Sequence, residues 1–338
     1  MRVNVGHIKT LRGLIPALFL LTILTCLLVL PARAEPMKPV KKPIQYVVIS
    51  FDGAKAIDIW KDTRALAQKH QASFTYFISC VYFLHRGNAW RYRAPGHRSG
   101  RSAIGFGRSR ADIEQRLKQL NLALKEGHEI ASHACGHYNG ARWSTAAWQA
   151  EINSFSAILK NAYSNNNLAG EPRDWKNMID TNIRGFRAPF MARNKALDKA
   201  LAHSEFWYDA SRGGYWDALP NKSKHGLWDF RLAFIPEGPR KRLILAMDYN
   251  LYVRHSSARA NPAAAKRYQS RTFQAYMRYF RQSYNTNRTP VQIGHHFSHW
   301  NGNAYWNALV QFVATVCPMA DVKCVSYTQL AKILDTRQ

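Results

Sequence analysis

The stretch IQYVVISFDG (residues 44–53) is apolar and rich in β-branched residues over its first six positions. Such a run predicts a buried strand of a parallel sheet. It ends at Asp52-Gly53, and an Asp before a Gly is most often only a turn residue. Whether Asp52 has a further role depends on the residues at the ends of the other strands.

Strand and helix patterns alternate from this first strand to the C-terminus. This alternation predicts an α/β fold with a largely parallel sheet, open or closed into a barrel, in a single domain over residues 44–335. Further strands are predicted at 74–78, 129–131, 183–186, 206–208, 291–293 and 322–325, with β segments at 227–235 and 243–253. Helices are predicted at 54–69, 109–127, 148–159, 273–284 and 305–316, and after Ser326.

Polar side chains lie just after five of these predicted strands. They are Asp52, His133, Arg187, Asp209 and the pair His295/His296. The carboxyl ends of parallel strands form one face of an α/β fold, and active sites lie on that face. Each residue alone has an ordinary explanation, as a turn, surface or ion-pair residue. Five of them at five strand ends indicate a shared functional site.

The segment His133-Ala134-Cys135-Gly136-His137 places two imidazoles four residues apart. Two histidines at this spacing can bind one divalent metal ion, and Gly136 favours a loop over a helix. The alternative is two unrelated loop histidines. A catalytic zinc site also needs a third protein ligand and a water.

The N-terminus has the pattern of a secretory signal. Arg2, Lys9 and Arg12 precede the apolar run 14–30, and Ala32-Arg33-Ala34 offers small residues for cleavage. We therefore expect a signal peptide at 1–34, a short leader at 35–43 and a periplasmic or secreted protein without a stable membrane span after cleavage. An uncleaved anchor helix is the alternative, because the apolar run approaches the length that spans a bilayer.

Export permits disulfides, and four cysteines remain after cleavage. Cys317 and Cys324 close a short loop containing Pro318, so we expect them to pair and leave Cys80 with Cys135. No cysteine pair has the close spacing of a thiolate metal site.

Composition and charge limit the class of protein and its partners. The chain of 338 residues is 46% apolar and 12% aromatic, which excludes a disordered or collagen-like chain. The net charge is +27, and loss of residues 1–34 would lower it to +23. Such an excess favours an anionic partner such as an acidic glycan or a cell-envelope polymer. An ordinary basic surface is the alternative, and nucleic acid is not expected for an exported protein.

Taken in order, these motifs resemble those of the polysaccharide deacetylases, the NodB-homology carbohydrate esterases of family 4. Ser50-Phe51-Asp52-Gly53 is similar to their Thr-Phe-Asp-Asp-Gly, and 133–137 is similar to their metal-binding histidine pair. The segment 186–190 is similar to their Arg-Pro-Pro-Tyr, Asp209 to their following Asp, and 293–296 to their late Leu-x-His. The resemblance covers residues 44–300 and implies a distorted (β/α) barrel of about seven strands.

The resemblance also implies roles for individual residues in hydrolysing N-acetyl groups on a polysaccharide or oligosaccharide. His133 and His137 would bind a divalent metal, usually zinc, and Asp52 would be the general base. Arg187 would keep Asp52 charged, His296 or His295 would be the general acid, and Asp209 would stabilise its imidazolium. We expect His296 to be the acid, with His295 pointing to the opposite face of the strand.

One departure from the family motif concerns the metal. The motif has two consecutive Asp residues, a base and a metal ligand, whereas this chain has Asp52 followed by Gly53. We align Asp52 with the base, because the preceding strand then needs no gap; the other alignment makes it the ligand. The sequence thus predicts a metal site that is short of one carboxylate.

Aromatic residues near these motifs are candidates for sugar binding. Pro189 and Phe190 come just after Arg187, while Trp216 and Trp300 lie in predicted loops. Indole rings can stack on the apolar faces of sugars, but core packing is an equal alternative for the tryptophans. The loop 86–110 carries seven arginines, which could bind an anionic polymer or simply face solvent.

The sequence supports three hypotheses. The first is an exported, metal-dependent deacetylase acting on an N-acetylated and possibly anionic glycan. The second is a catalytically impaired glycan-binding protein of the same fold, because Gly53 replaces the second Asp. The third is a basic, adhesin-like protein that binds an anionic envelope polymer.

Overall fold

The computed structural model describes residues 43–336, so the predicted signal peptide and all but the last residue of the leader lie outside the described residues. This part of the chain contains ten strands and ten α-helices. The strands are β1 (Gln45–Gly53), β2 (Thr75–Ile78), β3 (Glu129–Ser132), β4 (Gly185–Phe186), β5 (Tyr208–Tyr215), β6 (Asn221–Lys222), β7 (Trp228–Glu237), β8 (Arg242–Leu245), β9 (Val291–His296) and β10 (Val322–Cys324).

Helices separate most of the parallel strands, as the sequence predicts, although β5 to β8 follow one another without a helix. The helices are α1 (Ile57–Lys69), α2 (Arg110–Lys125), α3 (Thr145–Lys160), α4 (Ala162–Asn165), α5 (Trp175–Asn182), α6 (Lys195–Ala202), α7 (Asp248–Ser256), α8 (Ala265–Asn285), α9 (Trp300–Val316) and α10 (Tyr327–Asp335). None of the helices among the described residues is both long and apolar enough to cross a membrane.

Eight of the strands pair in parallel and form a curled sheet, so the predicted α/β fold with a distorted (β/α) barrel is confirmed. Along one path the order is β10-β1-β2-β3-β4-β5-β7, and β9 also pairs with β1. β6 and β8 pair antiparallel with β7. The chain just after β8 joins the two ends of the curl, because Ala246 donates to Ala233 of β7 and accepts from Gly294 of β9.

Strand alternation separates two apolar layers. On β1, Tyr46 and Val48 point into the barrel and pack with Phe77, Tyr208 and other buried residues under the α10 residue Tyr327. The odd-numbered residues of β1 point outward and join the larger core against the helices. Because Asp52 has the parity of Tyr46 and Val48, it lies on the inner face, and its register partners on β2 and β9 are Phe77 and His296.

The segment 243–253 differs from its prediction as a β segment. β8 ends at Leu245, and helix α7 begins at Asp248. The apolar residues of this segment are equally compatible with a helix, whose inner face buries Leu251 and Tyr252. No Gly or Pro separates the strand from the helix, so the sequence does not signal the change.

Both predicted disulfides are confirmed. Cys317–Cys324 links the end of α9 to β10, and Cys80–Cys135 links the chain after β2 to the loop after β3. The second disulfide therefore anchors the loop that carries His133 and His137.

Candidate active site

Asp52 and Arg187 form a buried ion pair at the end of β1. Arg187 Nη1 donates to Asp52 Oδ1 at 2.7 Å, and Arg187 is also held by Ser50 Oγ and by the carbonyl of Ala210. Burial alone would raise the pKa of Asp52, but Arg187, His133 and His296 together outweigh it, so the pKa lies below its usual range. Asp52 is therefore a carboxylate with Oδ1 occupied and Oδ2 available.

His133 comes directly after β3 and faces Asp52. Its Nδ1 lies 2.8 Å from the carbonyl oxygen of Arg187, which can only accept, so Nδ1 carries the proton. The unprotonated Nε2 lies 4.0 Å from Asp52 Oδ2. Burial lowers the pKa of His133 to about 3, which keeps the ring neutral.

His137 brings a second imidazole to the same place. Its ring centroid is 5.0 Å from that of His133 and 4.9 Å from the ring of Phe190. Burial lowers the pKa of His137 as well. Ala134 and His137 adopt φ angles of +55° and +58°, which fold the loop so that both rings point to one side. The sequence therefore supplies two neutral imidazoles, the form in which histidine binds metals.

The loop between the two histidines is held in place by hydrogen bonds to Glu151 of α3. Glu151 Oε1 accepts from the backbone N–H groups of Cys135 and Gly136, both at 2.9 Å, and Tyr92 Oη donates to the same carboxyl group. A Cβ atom on Gly136 would lie 2.2 Å from Tyr92 Oη, so the loop needs a glycine there. Glu151 is a positioning residue that sequence reasoning missed, since its position on a helix gives no signal.

His296 is a further polar group that faces the pocket, and its partner is Asp248. His296 Nδ1 lies 2.7 Å from Asp248 Oδ1, and its backbone N–H donates to Oδ2 at 2.9 Å. Burial alone would lower the pKa of His296, but the Asp248 carboxylate and its hydrogen bond raise it above the usual value. His296 is thus a favoured site for an imidazolium whose Nε2 is free for a substrate.

His295 lies on the opposite face of β9, as predicted. Its Nε2 lies 3.0 Å from Tyr276 Oη, and its ring packs near Phe51 in the outer core. Burial lowers its pKa to about 4, so it is neutral. His295 does not line the pocket that contains His296.

Asp209 does not contact His296, and this corrects the role that the family resemblance implies for it. Asp209 Oδ1 accepts from the backbone and the hydroxyl of Ser211, and Oδ2 lies 3.3 Å from Arg193. The reason is strand alternation, because the neighbouring Tyr208 and Ala210 point into the barrel. Ser211 Oγ accepts from the Ala188 N–H at 2.8 Å, so Asp209 supports the chain just after Arg187.

One pocket of about 590 Å³ is lined by Asp52, His133, His137 and His296. The polar lining comprises Asp52, His133, His137, Asn250 and His296. The apolar and aromatic lining comprises Ala188, Phe190, Met191, Leu245, Met247, Tyr249 and Trp300. The structure thus brings together the candidate base Asp52, the histidine pair and the candidate acid His296, which come from separate strand ends and loops.

Two of the four predicted sugar-binding residues line this pocket. Phe190 is 63% exposed and has a φ of +59°, a backbone conformation that is rare for a bulky residue and common at functional sites. Trp300 packs against Tyr252 with a centroid distance of 5.1 Å and lies 5.3 Å from the ring of His296. Pro189 is buried outside the lining, and Trp216 packs against the outer core.

The residues present fit a divalent ion only in part. The Nδ1–H of His133 bonds to a carbonyl, which is the arrangement that orients a ligating Nε2. Within residues 43–336, however, no group of three or more His, Cys, Asp or Glu side chains could hold a metal. Gly53 offers no side chain, and Asp52 already pairs with Arg187. The donor set is therefore two imidazoles with one nearby carboxylate oxygen.

Comparison with solved structures identifies the fold. The chain is similar to a protein from Mycobacterium smegmatis described as a polysaccharide deacetylase, with 15% identity, a TM-score of 0.57, and coverage of 90% of this chain and 95% of that one. It is also similar to the peptidoglycan deacetylase PdaC from Bacillus subtilis, with 12% identity, a TM-score of 0.47, and coverage of 88% and 95%. A CE4 family pseudoenzyme from Bacillus anthracis matches at 10% identity with a TM-score of 0.44, covering 85% and 66%.

No family model and no curated protein matches the sequence. The fold is nevertheless that of the polysaccharide deacetylases, and the resemblance seen in the motifs is confirmed at the level of fold. At such low identity, the activity of this chain has to be argued from its own site.

Proposed function

We propose that this chain is an exported, metal-dependent deacetylase that hydrolyses N-acetyl groups on a glycan. The observation that carries the proposal is the arrangement of one pocket, where an ionised Asp52 and an Asp248-bound His296 lie on adjacent strands in register. An amide needs both a base to activate water and an acid to protonate its nitrogen, and each contributes roughly 10²–10⁴-fold to such reactions.

Each residue has a defined part in this reaction. Asp52 takes a proton at Oδ2 from the water whose oxygen bonds to the acetyl carbon, while Arg187 holds Oδ1. The His296 imidazolium delivers its Nε2 proton to the amide nitrogen as the carbon–nitrogen bond breaks. The products are acetate and a free amine on the sugar. The proton that Asp52 took up then passes through solvent to His296, where the Asp248 carboxylate favours the protonated ring, so both groups are reset for the next turnover.

His133 and His137 are the residues that would hold a divalent ion, with zinc as the proposed metal. When bound, the ion would polarise the acetyl carbonyl and lower the pKa of water in the pocket. Titration calorimetry of zinc into the purified protein tests this separately from activity. We expect one site per chain, lost in His133→Ala, and an affinity lower than that of a three-ligand site. Equal binding by wild type and His133→Ala would remove these histidines from the metal site.

The activity is tested by acetate release from a chitin oligosaccharide, with added zinc or cobalt and with chelator. Asp52→Asn should lose nearly all release, whereas the matched change Asp62→Asn, on an exposed helix position outside the pocket, should have no effect. Folding of both variants is compared by circular dichroism. Absence of release by the wild type under every metal condition would contradict the proposal.

A second candidate function is favoured by Gly53. No side chain occupies the position of the second Asp of the motif, so the fold could retain the pocket while turnover is lost. The same experiment separates the two functions. Oligosaccharide binding that persists in wild type and Asp52→Asn alike, without acetate release from either, would identify a glycan-binding protein.

The cell compartment is also part of the proposal. Two disulfides are typical of an oxidising compartment, which supports a periplasmic or secreted protein. The signal pattern at residues 1–34 supports the same conclusion.

A further inference from the structure

The segment 86–110, named here the basic loop, carries seven arginines and no acidic residue. The acid-free stretch extends further, because no Asp or Glu occurs between Asp62 and Asp112. All seven arginines are exposed. A merely solvated face usually intersperses charges of both signs, so this concentration of one sign is unusual.

The charge at the centre of the basic loop is not neutralised by the described part of the protein. Arg91, Arg93, Arg98 and Arg101 form no ion pair with any described carboxylate. Arg93 donates to the carbonyl of His97, and Arg91 lies 4.5 Å above the ring of Trp90. Four guanidinium groups therefore remain available for anions outside the chain.

The basic loop lies directly against the loop that carries His137. Ala103 N–H and Ser102 Oγ both donate to the carbonyl of Gly136, at 2.9 and 3.3 Å. The His97 ring stacks on Tyr138, the residue after His137, with a centroid distance of 3.9 Å. The basic loop therefore packs against the segment that carries His137, which lines the pocket.

Backbone contacts hold the basic loop in a defined conformation. Gly100 N–H donates to the carbonyl of Tyr92 at 2.8 Å, and the side chain of Tyr92 is buried on Glu151. The backbone N–H of Arg86 bonds to Gly107 at the other end of the loop. An ordered array of cations loses less conformational entropy on binding than a flexible tail does.

We infer that the basic loop binds the polymer flanking the acetylated sugar, and that this polymer is a carboxylate-bearing polysaccharide. The inference rests on the proposed function, because it takes the pocket to receive an N-acetylated unit of the same chain. The guanidinium fork matches a carboxylate in two-point geometry. Trp90, which is 62% exposed among these arginines, adds a flat apolar surface on which a sugar ring can stack.

The test measures binding by the full chain to three probes of equal length at low salt. They are a hyaluronan oligosaccharide, in which glucuronate alternates with N-acetylglucosamine, a neutral chitin oligosaccharide, and an oligothymidylate. We expect hyaluronan to bind roughly tenfold more tightly than chitin, and this advantage to fall as salt is added. Equal affinity for the two glycans would overturn the inference. Tighter binding of the oligothymidylate would assign the basic loop to nucleic acid and overturn it as well.

A pair of triple variants separates local contacts from overall charge. Arg93→Gln, Arg98→Gln and Arg101→Gln together should remove most of the preference for hyaluronan. A matched triple variant removes the same charge from exposed positions on α8, whose residues do not line the pocket: Lys266→Gln, Arg267→Gln and Arg281→Gln. This variant should keep the preference for hyaluronan. Equal losses in both variants would overturn the inference. Because binding needs no turnover, failure of acetate release would refute the proposed function and leave this result standing.

Discussion

Replacement of Asp248 by asparagine should remove the charge that raises the pKa of His296. Asp248 is almost fully buried, and its carboxylate accepts from His296 Nδ1 at 2.7 Å, from the His296 backbone at 2.9 Å and from the Tyr249 backbone at 2.7 Å. An asparagine has the same shape, and its amide oxygen can keep the contacts of Oδ1 with His296 Nδ1 and the Tyr249 N–H. Its amide NH2 group cannot accept from the His296 N–H, so the change removes the charge and one backbone hydrogen bond while keeping the side-chain volume.

The expected magnitude follows from the role of the proton. Protonation of the leaving nitrogen is worth roughly 10²–10⁴-fold, so we expect kcat of Asp248→Asn to fall about 10²-fold or more. The pH profile should also move. Activity is lost as the pH rises through the pKa of the acid, and Asp248 raises that pKa in His296. Without its charge, the alkaline limb of the profile should shift to lower pH.

The assay is acetate release from a chitin oligosaccharide between about pH 5 and 9, with folding checked by circular dichroism. Asp209→Asn is the matched control, because Asp209 is also a buried carboxylate but contacts Ser211 and Arg193. The control should leave the alkaline limb in place. A wild-type kcat and pH profile in Asp248→Asn, or an equal shift of the alkaline limb in Asp209→Asn, would rule out Asp248 as the group that tunes the acid.

Three further predictions concern the support of the site. Burial lowers the pKa of His128 to about 4, and its Nδ1 accepts a hydrogen bond from the Phe74 N–H. The ring is therefore neutral in the folded state above about pH 4. In the unfolded state the same ring takes up a proton near pH 6.5. The free energy of unfolding should then fall by about 3 kcal/mol between pH 6.5 and 4 in wild type relative to His128→Asn, as measured by urea denaturation; parallel pH dependences would contradict this. Glu151→Gln should weaken zinc binding about tenfold in calorimetry by loosening the histidine loop, whereas an unchanged Kd would exclude this positioning role. Gly185→Ala should lower the free energy of unfolding by about 1–3 kcal/mol, because its Cβ would lie 1.9 Å from the buried Tyr208 ring, and an unshifted urea midpoint would show that the barrel can relax there.

The parts of the fold that the sequence predicts are those with strong periodicity. The buried strand before Asp52 and the apolar spacing of α8 and α9 specify their elements locally. Cys317 and Cys324 lie close together in sequence, so their pairing follows from chain length, and only one pairing remains for Cys80 and Cys135. The alternation of side chains along β9 also places His295 and His296 on opposite faces of the strand.

The parts that the sequence does not predict depend on tertiary contacts. Asp248 is the first residue of a helix in a segment whose apolar pattern also fits a strand, and its contact with His296 spans 48 residues. Asp209 comes at the end of a predicted strand in the same way as Asp52, and only the pairing of β4 with β5 shows that it points outward. Glu151 acts through backbone groups of another element. Residue type and spacing carry no signal for such contacts.

The most direct test of the central claim is hydrolysis of a chitin oligosaccharide by the wild-type protein in ¹⁸O-labelled water with added zinc. We predict that acetate and free amine appear in equal amounts, that the acetate carries the label from solvent, and that Asp52→Asn releases neither product. Unlabelled acetate would contradict attack by water. Absence of acetate from a folded protein that still binds the oligosaccharide would contradict the claim that this pocket is an active site.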